Sequence, residues 1–298
     1  MAPSNLRPHP RNRRQLLGGV AGALVASHRA SWYVAAQTTG PWTFLVLGLD
    51  WLDEAPSQRS DIIMLARVDA ASGTVRTLSI PRDLYVEIPG HGWDKINAAY
   101  QVGITGSTPD DWNAGATHVA RTVMLAFGVP VDACVVTDME AFPGLIDALG
   151  GITVENPYDL SDEYWPANMV LPAGPLMLDG ETALMYVRAR SQDGDGGRVM
   201  RQHLVLGALL AELQSAEILA RLPQLIQSFG GQVQSSIPLS VQIDLAGMLP
   251  DLSSTDLVFT NIEWQLTPGY TGGGAWIYEA DWNTLPTWVR AWLDGEIG

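Results

Sequence analysis

The sequence predicts an α/β fold built in layers, and three observations carry that prediction. Short apolar runs rich in Val, Ile and Leu alternate with longer segments of helical character, and Gly, Pro and Asp punctuate the borders between them. Apolar residues make up 47% of the 298, enough to bury a sizeable core. With no internal repeat and no linker-like change of composition after residue 42, the body from 42 to 298 reads as one domain behind a separate N-terminal segment, 1–41.

That leading segment carries Arg7, Arg11, Arg13, Arg14 and Arg29, and its first thirty positions hold no acid. An apolar run from Leu16 to Ala26 follows the paired Arg13 and Arg14. The run falls well short of the roughly 20 residues needed to cross a bilayer, and it has the length of a signal peptide. The pattern resembles a twin-arginine export signal. A helix from Leu16 to Ala36, with His28 and Arg29 snorkelling, is the membrane-anchored alternative, and a basic tail on a cytoplasmic protein is the third. The expected location is extracytoplasmic, exported or membrane-associated.

In the body, Trp42 to Asp50 (WTFLVLGLD) is short, apolar and rich in strand formers, which predicts a buried strand with Asp50 at its carboxyl end. A loop containing Pro56 delivers Arg59 and Asp61 to a second strand, Ile62 to Val68. A turn at Ala70 to Gly73 leads to a third, Thr74 to Ile80. Pro81 stops that strand, leaving Arg82 and Asp83 at the break. Thr108, Pro109, Asp110 and Asp111 form a helix-start pattern, and the helix should reach about Phe127. Ala133 to Thr137 reads as a strand, Glu140 to Leu149 as a helix closed by Gly150 and Gly151, and Ile152 to Asn156 as a further strand. Asp179 should cap a short helix leading into an extended Tyr186 to Arg190. A longer helix is expected from about Arg198 to Leu213, and an amphipathic helix with Trp288 and Trp292 should close the chain.

The charge pattern narrows the function. A net charge of −15 argues against a nucleic-acid partner, because phosphate backbones are bound by basic surfaces. Cys134 is the only cysteine, so there is neither an intrachain disulfide nor a thiolate cluster for a metal. Outside the leading segment the cations are concentrated: Arg59, Arg82, Lys95, Arg188, Arg190, Arg198 and Arg201 fall in four short motifs, and Lys95 is the only lysine in the chain. An acidic protein that gathers its cations in this way has an anion to hold.

Those four motifs carry the chemistry. Gly48-Leu49-Asp50 with Gln58 to Asp61 brings two carboxylates and a guanidinium together. Asp50 and Asp61 are oxygen ligands of the kind Mg²⁺ takes, or solvated loop acids pairing with Arg. Ser79 to Asp83 and Trp93 to Asn97 each place one cation beside an acid, a pattern also common in surface ion pairs. Tyr186 to Gln202 (YVRARSQDGDGGRVMRQ) is the densest polar stretch. On an extended backbone Arg188 and Arg190 point to one side, in reach of phosphate oxygens. Helical spacing puts Arg198, Arg201 and Gln202 on one face near a helix N-terminus, with Asp193 and Asp195 in a glycine-rich loop between the two groups. The D-G-D-G run resembles part of an EF-hand, but no bidentate Glu follows at the right spacing. The C-terminal tryptophans Trp264, Trp276, Trp282, Trp288 and Trp292 read as core, with a carbohydrate platform as the alternative.

In this order, G-L-D, R-S-D-x-x-M-L, L-S-I-P-R-D-x-x-V-x-I-P-G, K-I-N-A-A-Y, L-I-D-A-L-G-G-I-T-V, L-D-G-E-T-A-L-M-Y-V-R-A-R and D-x-D-x-x-R-x-x-R-Q resemble the motifs of the LytR-CpsA-Psr family of cell-wall ligases, from residue 42 to about 295. The resemblance implies an α/β/α sandwich around a mixed central sheet, with an apolar tunnel for a polyprenyl tail. It also implies a Mg-dependent phosphotransferase that moves a teichoic acid-like glycopolymer from a polyprenyl diphosphate carrier to peptidoglycan, forming a phosphodiester at the membrane surface. By the same resemblance Asp50 and Asp61 hold Mg²⁺, with Mn²⁺ as the substitute ion. Arg59, Arg82, Lys95, Arg188, Arg190, Arg198 and Gln202 grip the diphosphate. Asp195 activates the acceptor hydroxyl, with Asp193 as its rival, and Arg82 and Arg190 assist the chemistry. Two other functions use the same residues: a polyprenyl diphosphate phosphatase, in which water replaces the sugar hydroxyl, and a non-enzymatic lipid-carrier binding or regulatory protein.

Overall fold

In Trp42–Asp50 (β1), Leu45, Leu47 and Leu49 point to one side and Val46 and Gly48 to the other, as the two-residue period of a strand requires. The computed structural model describes residues 40–50, 59–104, 111–138, 141–166, 169–215 and 233–297, without the side chains of Asp50, Asp138, Asp195 and Ser254. Most of the 1–41 segment and the Thr108 to Asp110 helix start lie outside the described residues. Among those described, no helix is long and apolar enough to cross a membrane.

Six strands form a mixed central sheet around β1. Arg59–Asp69 (β2) runs antiparallel beside it and Ala133–Asp138 (β6) parallel on the other side. Thr74–Ser79 (β3) returns antiparallel along β2, and Leu257–Asn261 (β10) lies parallel to β3. Val233–Ser235 (β9) closes the far edge, giving the order β10-β3-β2-β1-β6-β9. Three two-stranded ribbons flank this sheet: Tyr85–Ile88 (β4) with Gly92–Lys95 (β5), Ile152–Asn156 (β7) with Gly174–Leu178 (β8), and Leu266–Tyr270 (β11) with Trp276–Ala280 (β12).

Helices cover both faces, as the expected sandwich demands. On one side lie Ala98–Ile104 (α1), Trp112–Phe127 (α2) and Leu285–Leu293 (α7). Here Val119, Val123, Phe127, Val289 and Trp292 pack against Leu45, Leu47, Ile63, Leu65 and Leu78 of the sheet. On the other side lie Ala141–Leu149 (α3), Gly180–Arg188 (α4) and Gly194–Leu213 (α5), which share a second core with β7 and β8 around Ile146, Val154, Tyr186 and Val205. Leu239–Met248 (α6) seals the end of the sheet, where Val241 meets Trp42 and Phe44.

Two local expectations are overturned. Tyr186 to Arg190 is not one extended segment: Tyr186, Val187 and Arg188 complete α4, and Ala189 and Arg190 lie beyond the helix. The Asp179 carboxylate accepts the Thr182 N–H at 2.8 Å to start this helix. Burial of Ala183, Tyr186 and Val187, at positions i, i+3 and i+4, carries it on past the point where the arginines suggest a strand. Likewise α5 begins at Gly194 rather than near Arg198, so the D-G-D-G run is not a free loop. Asp193 stands at the N-cap position and Asp195 in the first turn.

Candidate active site

The site is assembled where strand ends meet α5. Between Gly48 and Leu49 the β1–β2 register shifts: Gly48 faces Ile62, Leu49 faces Ser60, and Asp61 is the extra residue of a β-bulge. A bulge re-aims one side chain out of the alternating pattern. Here it turns the Asp61 carboxylate to Arg82, with which it forms a close ion pair. Arg82 itself stands where Pro81 ends β3, as the sequence predicts. Its Nε lies 3.5 Å from Asp83, and Asp83 accepts from the Lys95 ammonium at 2.6 Å. Two of the sequence motifs, Ser79 to Asp83 and Trp93 to Asn97, are therefore joined through Asp83 into one alternating row of charge with Asp61.

Facing this row, α5 contributes Arg198 and Gln202. A small polar pocket is lined by Asp61, Ser79, Arg198, Gln202, Asn261 and Glu263, with Ile62, Ile63 and Val199 among the apolar remainder. Arg198 is only 8% exposed, so its charge acts in a partly dewatered setting where electrostatic attraction to an anion is strengthened. Beneath it, on the open face of the sheet, lies an apolar cavity of about 420 Å³. Val46, Ile62, Val75, Val135, Phe142 and Leu209 are among its walls. Ile62 and Gln202 line both spaces, so the polar pocket and the apolar cavity are neighbours.

The remaining expected residues fall in three places. Arg59 begins β2 and is exposed. Arg188, also exposed, ends α4, and Arg190 follows in the turn before α5; neither is among the lining residues of the polar pocket. That turn is shaped by Asp162, whose carboxylate accepts the Arg190 and Ser191 N–H groups at 2.7 and 3.0 Å. Burial raises the pKa of Asp162, but these backbone donors outweigh it and leave the carboxyl below its usual value. Asp50 pairs with Arg59 in the backbone register, two positions from Asp61, and its side chain lies outside the described residues, as does that of Asp195.

Arg201 corrects the expectation of one cationic face at Arg198, Arg201 and Gln202. Its guanidinium turns inward and is 1% exposed, donating to the Tyr186 and Ala189 carbonyls and to both oxygens of Asp193, at 2.6 and 3.0 Å. Three- and four-residue spacings both fall on one broad helix face, and packing against α4 splits that face between Arg201 inward and Gln202 toward the pocket. Asp193 also accepts from the Tyr158 hydroxyl. Desolvation alone would raise the Asp193 pKa, yet the Arg201 and Tyr158 hydrogen bonds hold the carboxyl below its ordinary value. Glycine serves this arrangement twice: Gly194 takes φ +68°, and a Cβ at Gly197 would sit 1.8 Å from the Asp193 carboxyl carbon. Asp193 is thus a strut that ties α5 to α4.

Three further residues of the site carry no clear signal in the sequence. Asn261 and Glu263 enter the pocket only because β10, from the C-terminal third of the chain, docks beside β3. His203 follows Gln202 on α5, stacks on Phe259 with ring centroids 4.7 Å apart, and lies 3.4 Å from the Ser79 hydroxyl. Burial pushes its pKa down to about 4, so it is a neutral imidazole at physiological pH.

This constellation lies on the segments that match known proteins. The model of the LytR_cpsA_psr family matches residues 22–287. The chain belongs to the LytR-CpsA-Psr family. The match starts inside the segment read as an export or anchoring element, twenty positions ahead of the expected boundary at 42. Among similar proteins is the polyisoprenyl-teichoic acid--peptidoglycan teichoic acid transferase TagU of Oceanobacillus iheyensis, 33% identical over 78% of this chain and 69% of that protein. The transferase TagT of Bacillus subtilis is 30% identical over 86% of this chain and 77% of its own length. The crystal structure of B. subtilis TagV superposes with a TM-score of 0.68 at 28% identity, covering 86% of this chain and 98% of that one. A structure described as TagT bound to LIIa-WTA gives 0.67 at 27% identity, with 86% and 91% covered. The LytR-CpsA-Psr fold, with its mixed sheet between two helical layers, agrees with the architecture expected from the sequence.

Proposed function

We propose that this chain is a transferase of the cell wall: it takes a glycopolymer from a polyprenyl diphosphate carrier and joins it to peptidoglycan through a phosphodiester. The observation that carries this reading is the adjacency of the polar pocket and the apolar cavity, which share Ile62 and Gln202 as walls. A molecule matching both parts has a long apolar tail and an anionic head at their junction, which describes a polyprenyl diphosphate. The names of the similar transferases, polyisoprenyl-teichoic acid as donor and peptidoglycan as acceptor, support the same assignment.

In this reaction an acceptor hydroxyl attacks the phosphorus that bears the glycopolymer. A new P–O bond forms, the bond to the bridging oxygen breaks, polyprenyl phosphate leaves, and the hydroxyl proton passes to a carboxylate. Arg82 and Arg198 neutralise charge on the diphosphate at the pocket, with Lys95 supporting through Asp83. Arg59, Arg188 and Arg190 meet the glycopolymer side of the head group. Gln202, at the junction, orients the head relative to the tail. Such positioning and charge neutralisation do most of the work in phosphoryl transfer. Asp195 is the base in this scheme. The engagement of Asp193 with Arg201 and Tyr158 supports that choice over its rival, because a carboxylate held by two donors and with a depressed pKa is a poor proton acceptor.

A hard divalent cation fits the donor set. Mg²⁺ binds through one or two carboxylates and completes its shell with water and substrate phosphate. Asp61, bulged toward the pocket, and Asp50, two register positions away, are the residues to hold it. When bound, Mg²⁺, or Mn²⁺ in its place, supplies charge neutralisation to the diphosphate. The whole arrangement belongs on the outer face of the cytoplasmic membrane, where lipid-linked donor and wall acceptor meet.

The test is release of polyprenyl phosphate from a synthetic polyprenyl diphosphate-sugar, with Mg²⁺ or chelator and with or without peptidoglycan fragments. Metal-dependent release that rises with the acceptor and is lost in Arg82→Ala is expected. Equal release with and without acceptor would replace transfer by hydrolysis. Tight lipid binding without release would make the chain a carrier-binding protein.

A further inference from the structure

At the turn end of the β11–β12 hairpin, Tyr270 and Trp276 face each other across the strands, 71% and 37% exposed. Two residues along β12, Tyr278 falls on the same face, since side chains of a strand repeat every second residue. The Trp276 and Tyr278 rings meet edge-on, with centroids 4.6 Å apart. Tyr278 then donates its hydroxyl to Glu263, which lines the polar pocket. The aromatic track therefore has two exposed rings, Tyr270 and Trp276, and a buried third, Tyr278, whose hydroxyl links them to Glu263 at the pocket wall. Trp264, the residue after Glu263, is 67% exposed and set edge-to-face against Trp288 at 5.4 Å.

This track is held firmly in register with the site. The Tyr278 N–H donates to the Asp83 carbonyl at 2.9 Å, tying the hairpin to the segment that carries Arg82, and Leu84 forms a parallel bridge with Tyr278. The hairpin tip is Gly272-Gly273-Gly274, which has no side chain to cover the rings. Tyr270 and Trp276 are large aromatic side chains left in water on a hairpin anchored to the pocket wall, which marks a binding surface rather than core. Flat exposed rings offer stacking to the C–H faces of a pyranose, and the Glu263 carboxylate offers an acceptor to its hydroxyls. Charge then chooses between sugar chains. The track contains no cation and ends in an acid, so it favours an uncharged glycan over a polyanionic one.

We infer that the exposed Tyr270–Trp276 pair is the subsite for the acceptor: an uncharged, N-acetylated sugar chain laid over the hairpin, with one hydroxyl delivered past Glu263 into the pocket. The inference rests on the transferase reading and names the surface that receives the second substrate. It leaves the glycopolymer still on its lipid to the arginine-bearing turn between α4 and α5.

Titration of the full chain with a β-1,4-linked N-acetylglucosamine tetramer, and separately with poly(glycerol phosphate), followed by saturation-transfer NMR and calorimetry, tests the idea. The neutral oligomer is expected to saturate. Trp276→Ala should weaken its binding by about tenfold or more, and Trp276→Phe should recover most of the loss. A circular-dichroism spectrum matching the wild type establishes that Trp276→Ala is folded, and the Phe variant reports independently. Failure of the oligomer to saturate, unchanged affinity in Trp276→Ala, or a variant that loses affinity for poly(glycerol phosphate) instead would overturn the inference. The titration contains no lipid donor, so its result is independent of whether the chain cleaves a diphosphate.

Discussion

The two faces of the central sheet are made by the same strands and are equally apolar, yet one is filled and the other hollow. Toward α1, α2 and α7 the strands present Leu45, Leu47, Leu49, Ile63, Leu65 and Leu78, long side chains buried to within a few per cent. Toward α3 and α5 they present mostly short side chains, Val46, Gly48, Ala66, Val75, Thr77, Val135 and Thr137, with Ile62 and Met64 the long exceptions, and the space they leave is the 420 Å³ cavity. Hydrophobic alternation alone would give two equivalent cores. Side-chain volume is what separates a load of stability from a binding space, since a close-packed interior gains dispersion contacts that a cavity wall forgoes.

Breaking the comparison at the hollow face should have the largest functional effect. Ala66→Trp places an indole in the cavity, and polyprenyl phosphate release is expected to fall by about a hundredfold or more as the donor is displaced. A thermal melt should change little. Normal turnover in that variant would detach the cavity from the lipid.

The polar seam between α4 and α5 comes next. Asp193→Ala leaves the Arg201 guanidinium buried without its carboxylate and should destabilise the chain by about 3–5 kcal/mol in urea unfolding. Gly197→Ala should act in the same direction by displacing Asp193. Wild-type stability in both would mean that the seam is decoration.

A matched pair of truncations then compares the faces directly. Leu65→Ala, on the filled side, is expected to cost about 3 kcal/mol, and Val75→Ala, on the hollow side, about 1 kcal/mol or less. Equal losses would show that both faces are packed alike in solution.

The effect confined to the narrowest conditions is a pH dependence. His203 is neutral in the fold, with its pKa lowered from 6.5 to about 4 by burial. Its contribution is fully present above pH 6.5. As pH falls from 6.5 toward 4 the unfolded chain takes up a proton that the folded chain refuses, and stability drops, by on the order of 2 kcal/mol. His203→Gln should flatten this slope in denaturation curves measured across that window.

Much of this was legible in the residues themselves. The apolar alternation of Trp42 to Asp50 and of Ile62 to Val68, the Asp179 cap and the Gly150-Gly151 stop all appear where the periodicity and capping patterns put them. Local signals misled at Tyr186 to Gly197, where arginines and glycines read as strand and loop although burial of Tyr186 and Val187 continues one helix and the Asp193 seam begins the next. The C-terminal tryptophans also divide: Trp292 is buried core at 3% exposure, as the sequence suggests, while Trp264 and Trp276 stand in solvent.

What the sequence by itself determined, then, is what local physics can encode: strand and helix periods, caps, and the motifs that carry membership of the LytR-CpsA-Psr family. Tertiary structure alone decided that a bulge turns Asp61 to Arg82, that Arg201 faces inward while Gln202 faces the pocket, and that Asn261, Glu263 and the hairpin aromatics arrive beside Ser79 from the far end of the chain. Such contacts depend on strand pairing across 180 residues, between Ser79 and Asn261, and on which of two helix faces finds room, and neither is written in any short window of sequence.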